Sequence, residues 1–370
     1  MDERVSPHWR TVIERLACAV RNAAPGEAHC AKDGACSVPA ETSDLEQALN
    51  ALVRQVTFSD KEKTVAATET DDPLAAGRYV VRPLHRRTAP VGTRVQTPAR
   101  IVHQYKNRCL FLTTGACFAR CRYCFRRKSP ALDYSFATQT ETAELAAYLQ
   151  MHGEIREVLL SGGDPLTASD AQLETLLSAV REKRPDVLIR LCTRAPVFAP
   201  ERFTACTVSL LKRFKPLWLI PHINHAAEFS PRFSPEAYAA LAALVENGIP
   251  MQSQTVLLRG VNDSVEVLAD LFHKLTLLGV KPGYLFQGDL APGTSHMRVG
   301  IEKGIALYEK LRTELSGLSL PVYAVDIPGG GGKFNLLQLN PALFETSVRR
   351  AENSYVFTVK GVQYEYPVEP

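Results

Sequence analysis

The sequence predicts an α/β protein whose body is a partial barrel of six βα units, set between a helical N-terminal region and a C-terminal segment. Three observations predict it. From about residue 101, short apolar runs alternate with amphipathic stretches, as parallel strands joined by crossover helices require. Ahead of that point the apolar residues are helix-spaced instead. Six units fall short of the eight that close a full barrel, so the sheet should stay open and take a further strand at one edge. The division is 1–100 for the helical region and connector, 101–300 for the partial barrel, and 301–370 for a segment packed on it.

In chain order, Trp9, Val12, Ile13 and Leu16, then Leu45, Leu49, Leu52 and Val53, repeat at helical spacing, and the helical reading runs to about residue 70. Residues 73–100, rich in proline and basic residues without a period, read as an extended connector. Six strands should begin at Cys109, Glu157, Val187, Leu217, Met251 and Gly283, with an added edge strand at Val322-Tyr-Ala-Val. One helix is predicted in detail: Asp263 and Glu266 stand at capping-box spacing, Leu268, Phe272, Leu275 and Leu278 form one stripe, and Gly279 suits a left-handed stop.

Composition narrows the function. The chain has 370 residues, a formal charge of +4, and no block of like charges of the kind that binds nucleic acid or a membrane surface. No apolar run approaches the length of a membrane span, and the charged Met1-Asp-Glu-Arg, with no apolar core and small-residue cleavage site after it, does not read as a signal peptide. Nine cysteines, an odd number, disfavour a secreted disulfide framework and favour a reducing, cytoplasmic setting. Cys30 and Cys36 lie in a loop-like stretch that reads as an ordinary surface loop rather than a second metal site.

The densest chemistry is Cys117-Phe-Ala-Arg-Cys121-Arg-Tyr-Cys124. Three close thiolates can hold three irons of a cubane and leave the fourth iron open, whereas a structural zinc wants four closed ligands and no local fourth is visible. Three small buried thiols are the bland alternative. Parallel barrels carry their sites at the C-terminal ends of the strands. The cysteines follow the first strand, Gly162-Gly163-Asp164 the second, Thr193-Arg194 the third and His222 to His225 the fourth; Gln254 lies within the fifth and Asp289 follows the sixth.

Near the end stands Asp326-Ile-Pro-Gly329-Gly-Gly-Gly332-Lys333. It is not a P-loop, since Ile327 stands where that motif needs glycine and Phe334 where it needs Ser or Thr. Glycines let a backbone approach a bulky cofactor, and a desolvated lysine forms imines with carbonyls. A flexible linker is the bland alternative.

The cysteine spacing resembles the signature of radical S-adenosylmethionine (SAM) enzymes. Together with the glycine-lysine run it resembles the lysine 2,3-aminomutase family, from about Asp72 to the C-terminus. Tyr105-Lys-Asn-Arg108, Leu160-Ser-Gly-Gly-Asp164, Thr193-Arg-Ala-Pro196, Ile223-Asn-His225, Val256 to Asp263, Gln287-Gly-Asp289 and Pro328 to Lys333 come in the family's order.

The resemblance implies a [4Fe-4S] cluster on Cys117, Cys121 and Cys124, SAM on its open iron, and pyridoxal 5′-phosphate (PLP) as an imine on Lys333. Arg108 would bind the PLP phosphate and Tyr105 pack on its ring. Arg126 would pair the substrate carboxylate, and Asp289 and Asp326 the terminal ammonium of L-lysine. Gly162, Gly163, Asp164, Gln254 and His222 or His225 would contact SAM. The implied reaction is a 2,3-shift of the amino group giving β-lysine, with an electron donor such as flavodoxin or ferredoxin and a possible homo-oligomer.

Long-tail members carry an interface zinc. Here Ser264 stands where they have a cysteine and no cysteine follows Cys206, so that zinc is not expected. Alternatives are glutamate 2,3-aminomutation, a branch that modifies a translation factor, and a non-catalytic iron-sulfur protein. The paired acids disfavour glutamate, and the last leaves Lys333 and the glycines without use.

Overall fold

In the computed structural model, which describes residues 5–23, 40–81, 99–337 and 346–368, the N-terminal region starts with two packed helices, α1 (Pro7–Ala23) and α2 (Ala40–Val56). Trp9, Val12, Ile13 and Leu16 of α1 and Leu45 and Leu52 of α2 are buried, as their spacing requires. Each such large side chain contributes about 1.5–3 kcal/mol when fully buried. The helical pattern ends at Val56, short of residue 70. Beyond it Glu62 and Glu69 turn inward to Arg122 and Arg298, and the backbone follows short 3-10 turns instead. Residues 82–98 of the predicted connector and the Cys30–Cys36 stretch lie outside the described residues.

The sheet opens with β1 (Ile101–Tyr105), antiparallel to β2 (Arg108–Thr114). Parallel pairing then runs from β2 through β3 (Glu157–Gly162), β4 (Leu188–Thr193) and β5 (Leu217–Pro221). Bridges at Leu219–Met251 and His222–Gln254 carry it to β6 (Gln252–Val256), and it continues through β7 (Lys281–Phe286) to β8 (Val322–Ile327). All six predicted units and the added strand are present in this order. Strand β9 (Gly332–Asn335) pairs antiparallel with β8. No ladder joins β9 to β1. Instead the Lys333 N–H donates to the Tyr105 hydroxyl (3.1 Å) and Gln104 Nε2 to the Gly330 carbonyl (3.1 Å), so the two sheet ends meet at a seam.

The crossover helices are α3 (Gln139–Met151), α4 (Asp170–Lys183), the single turn α5 (Ala195–Phe198) with α6 (Ala205–Arg213), α7 (Pro235–Glu246), α8 (Val265–Leu277) and α9 (Ile301–Glu314). Thr138 and Ser169 begin α3 and α4 with capping boxes. Helix α8 corrects one expectation: its N-cap is Ser264, whose hydroxyl accepts from Val267 N–H, while Asp263 binds Gly260 N–H (2.8 Å) and Lys303 (2.7 Å). Its buried stripe adds Leu271 to Leu268, Phe272 and Leu275, and Gly279 is left-handed (φ 88°) as predicted. Because α9 completes the sixth unit, residue 301 begins a barrel helix.

The C-terminal segment holds an antiparallel sheet that the sequence reading did not anticipate: β10 (Thr346–Arg350), β11 (Ser354–Val359) and β12 (Val362–Pro367). Phe357 and Tyr366 pack against Val325, Ile327 and Phe334, fastening it to β8 and β9. Among the described residues no helix is long and apolar enough to cross a membrane.

Candidate active site

The loop after β2 carries the three cysteines, and the β3 exit fixes it. Gly162 has φ 116°, and a Cβ on Gly163 would sit 2.1 Å from the Ala116 carbonyl oxygen, so only glycine lets this turn lie against the cysteine loop. Asp164 is buried and its carboxylate is fully engaged. It accepts from Thr193 Oγ1 (2.8 and 2.9 Å), Arg194 N–H (2.8 Å) and Leu166 N–H (3.0 Å), against a burial that pushes its pKa up. Its charge therefore organises the loops, and what this turn can offer a ligand is backbone.

Burial pushes the Cys124 thiol to about 11, with the neighbouring Cys121 adding to it, and the Cys117 thiol is raised as well. Free, Cys117 and Cys124 are neutral near pH 7; bound metal is what makes closely set thiolates stable together. Among the described residues no three His, Cys, Asp or Glu could hold a single metal ion. A cubane asks for something wider, since each thiolate takes its own iron. The donor set fits such a cluster.

A buried polar knot supports the loop, and two of its members, Gln55 and Glu228, stand in none of the sequence motifs. Arg194 donates to Cys121 Sγ (3.2 Å), Tyr123 Oη (2.5 Å), Gln55 Oε1 (3.2 Å), Glu228 Oε2 (2.8 Å) and the His222 carbonyl (3.2 Å). Burial opposes its charge, but Tyr123, Cys121 and Glu228 hold its pKa above the ordinary value. Asn224 donates to Tyr123 Oη (2.6 Å), and its Oδ1 lies 3.0 Å from His222 Nε2. The two histidines separate here. His225 accepts from Ala227 N–H (3.1 Å) and caps a turn, whereas His222 lines the strand ends beside Gln254. Burial lowers both, to about 4 and about 3. The Gln254 amide makes no side-chain hydrogen bond among the described residues.

At the seam, β8 and β9 set Asp326 directly opposite Lys333, and Lys333 Nζ lies 2.9 and 3.1 Å from the carboxylate oxygens. The same ammonium sits over Phe286 (3.8 Å) and Tyr284 (5.0 Å), two stacked rings of β7 that the sequence reading did not single out. Arg108 stacks on Tyr105 (3.8 Å), whose phenol burial, and after it Asp326, pushes up. An amine, an aromatic ring and a guanidinium thus converge, as a phosphate-bearing aldehyde cofactor requires. The glycine run is clamped by protein: Tyr79 Oη and Arg78 reach the Gly330 and Gly329 carbonyls, and Gly329, Gly330 and Gly332 have φ of 70°, 92° and 85°.

Between the two centres stand Arg126 and Asp289. Arg126 has no ion pair among the described residues; burial lowers its pKa while Cys124, Cys192, Asp72 and Asp289 act the other way. Asp289 has no hydrogen-bonded partner for its carboxylate there either. Burial, and next Asp326, push it up to about 7. Its loop is held from behind by Gln287, bound to Tyr323 Oη (2.6 Å), Tyr366 Oη (3.0 Å) and the Val299 carbonyl (2.6 Å), and by Glu69, which accepts from Gly293, Thr294, Ser295 and Arg298.

The family model for the radical SAM superfamily matches residues 111–272. A Treponema pallidum (strain Nichols) protein provisionally named L-lysine 2,3-aminomutase is 44% identical over 371 residues, 98% of this chain and 95% of that one. An L-lysine 2,3-aminomutase of Fusobacterium nucleatum is 40% identical, over 63% of this chain and 54% of the other. A glutamate 2,3-aminomutase of Clostridioides difficile (strain 630) is 35% identical, over 67% and 58%. The matches to these last two span little more than half their length. Cysteine loop, glycine-lysine hairpin and end-to-end similarity to the Treponema protein agree: the chain belongs to the lysine 2,3-aminomutase family of radical SAM proteins.

Proposed function

We propose that the protein moves the 2-amino group of L-lysine to carbon 3, giving β-lysine. The observation that carries this reading is the pair Asp289 and Asp326 at one mouth with Lys333, near an Arg126 that has no ion pair among the described residues. Cys117, Cys121 and Cys124 would hold a [4Fe-4S] cluster; the Gly162–Gly163 backbone, Gln254 and His222 would face SAM; Lys333, Arg108 and Tyr105 would hold PLP. When bound, cluster and SAM supply hydrogen-atom abstraction, and PLP supplies the carbonyl that carries the migrating nitrogen.

The chain's own groups do the rest. Arg126 offers the substrate carboxylate a forked pair of N–H donors. Asp289 and Asp326 restore charge-assisted hydrogen bonds to the ε-ammonium as it loses water. Lys333 must shed a proton from Nζ to act as a nucleophile, and Asp326 Oδ1 at 2.9 Å is the acceptor in reach. With Lys333 engaged by the cofactor its ion pair with Asp326 would be released, and Asp326, once its proton has passed to water, would be free for substrate. Phe286 and Tyr284 cover one side of the amine, which is otherwise partly exposed in this structure rather than desolvated.

We also place the protein in the cytoplasm, reduced by a flavodoxin- or ferredoxin-type donor. With the Ser264 hydroxyl engaged in a helix cap, purified protein should carry iron without stoichiometric zinc. The test is anaerobic reconstitution with iron and sulfide, then PLP, SAM, dithionite and L-lysine. β-Lysine should form, and borohydride should fix pyridoxyl to Lys333. Faster turnover of L-glutamate, or trapping on another lysine, would reject the reading.

A further inference from the structure

We propose that Arg194, with Glu228 behind it, sets the reduction potential of the cluster that Cys121 and its two neighbours would hold. This rests on the cluster assignment and on no step of the aminomutase reaction.

All five N–H donors of the guanidinium are used, one of them on the Cys121 sulfur (3.2 Å), so its position is fixed rather than averaged over rotamers. It is also dry. Phe198 (4.2 Å) and Trp9 (5.5 Å) lie against it, and α2 contributes Gln55. In such surroundings a unit charge acts far more strongly than in water. Reduction places one further negative charge on the cluster, and a fixed cation donating to a ligand sulfur favours that state; charge and hydrogen bonds at the sulfurs are established levers on these potentials.

Glu228 works in the opposite direction, from farther away. Its Oε2 binds Nη2 (2.8 Å), while Cys121 binds Nη1, so the guanidinium lies between carboxylate and sulfur. Its Oε1 is fixed in turn by Gln55 Nε2 (2.9 Å) and by the Asn224 and His225 N–H groups (3.0 Å each). The cluster therefore feels an oriented pair, cation first. The two N-terminal helices, which carry none of the predicted site residues, acquire a role as the cover that keeps this pair from water.

The experiment is a redox-poised titration of reconstituted protein, without SAM or lysine, following the paramagnetic signal of the reduced cluster. Arg194→Gln should lower the one-electron reduction equilibrium at least tenfold, which is 59 mV for a one-electron couple. Glu228→Gln should raise it threefold or more, because the cation is then unopposed. The double variant, which leaves no unpaired buried charge, should fall below wild type but by less than Arg194→Gln. Shifts of the same sign in the two single variants, or shifts within twofold of wild type, overturn the proposal; a purely structural role would not give opposite signs. If Arg194→Gln fails to retain iron, Glu228→Gln decides alone, and a value at or below wild type overturns it. Iron content separates this from the cluster assignment: a Cys121→Ala protein with its full iron would sink the latter instead.

Discussion

The two halves of the barrel mouth hold their charges in opposite ways. Around the cysteine loop the buried charges are matched: Arg194 with Glu228, Asp164 with three hydrogen-bond donors, Arg122 with Glu62. Around Lys333 they are matched only in part. Asp289 is pushed to about 7, Arg126 lacks an ion pair among the described residues, and the Lys333–Asp326 pair is about a quarter exposed. A matched network is a fixed frame, because breaking a buried pair is costly. Unmatched groups in a partly open mouth are binding capacity left for a ligand. One half is built to stay as it is and the other to be completed.

The largest effect that would test this contrast belongs to the frame. Cys121→Ala should abolish iron loading and SAM cleavage, whereas Cys109→Ala, in the core of β2, should keep both. Gly163→Ala comes next. Its new Cβ would meet backbone at 2.1 Å, which cannot give way as a flexible side chain can, so most of the cluster should be lost from correctly folded protein. Full iron in that variant would show the frame to be softer than its geometry.

In the open half, Asp289→Asn and Asp326→Asn should each cost on the order of 2–5 kcal/mol in kcat/KM for L-lysine, with SAM and PLP still bound. Near-normal kinetics in both would end the ammonium assignment. A pH series sharpens it. Only ionised Asp289 attracts an ammonium, so KM for lysine should fall as pH rises through about 7, and this slope should vanish in Asp289→Asn. Stability runs the other way. The native state holds the extra proton between about 3.9, the ordinary aspartate value, and its raised pKa, so this group's contribution is full below that window and lost as pH rises through about 7. The smallest effect is Tyr366→Phe, which removes the hydrogen bond to the Gly288 carbonyl (2.5 Å) and should cost about 1 kcal/mol in denaturation, with a modest rise in KM.

What was legible in the sequence follows from period. The six units and the edge strand could be read because buried parallel strands are continuous apolar runs, and the cysteine and glycine-lysine motifs because their chemistry depends on local spacing. Strand β1 was missed since Ile-Val-His-Gln-Tyr has too few apolar residues to stand out. The C-terminal sheet does leave a signal in the sequence: Tyr355, Phe357 and Val359 alternate, and Lys360-Gly361, both left-handed (φ 48° and 79°), is a two-residue hairpin turn. Ser264 took the cap assigned to Asp263 because cap preference does not separate adjacent Asp and Ser. The Arg194 knot was not legible at all, as it joins residues 55, 121, 123, 194 and 228 that only the fold brings together.

The hairpin between Asp326 and Lys333 carries one more consequence. The two residues are direct cross-strand partners, with Ile327 opposite Gly332 and the remaining glycines making the turn. Strand side chains alternate faces, so adding or removing a single residue in that turn would point the amine out of the barrel while leaving the motif almost unchanged in composition. The number of glycines, more than their identity, is what aims the lysine: the run works as a ruler.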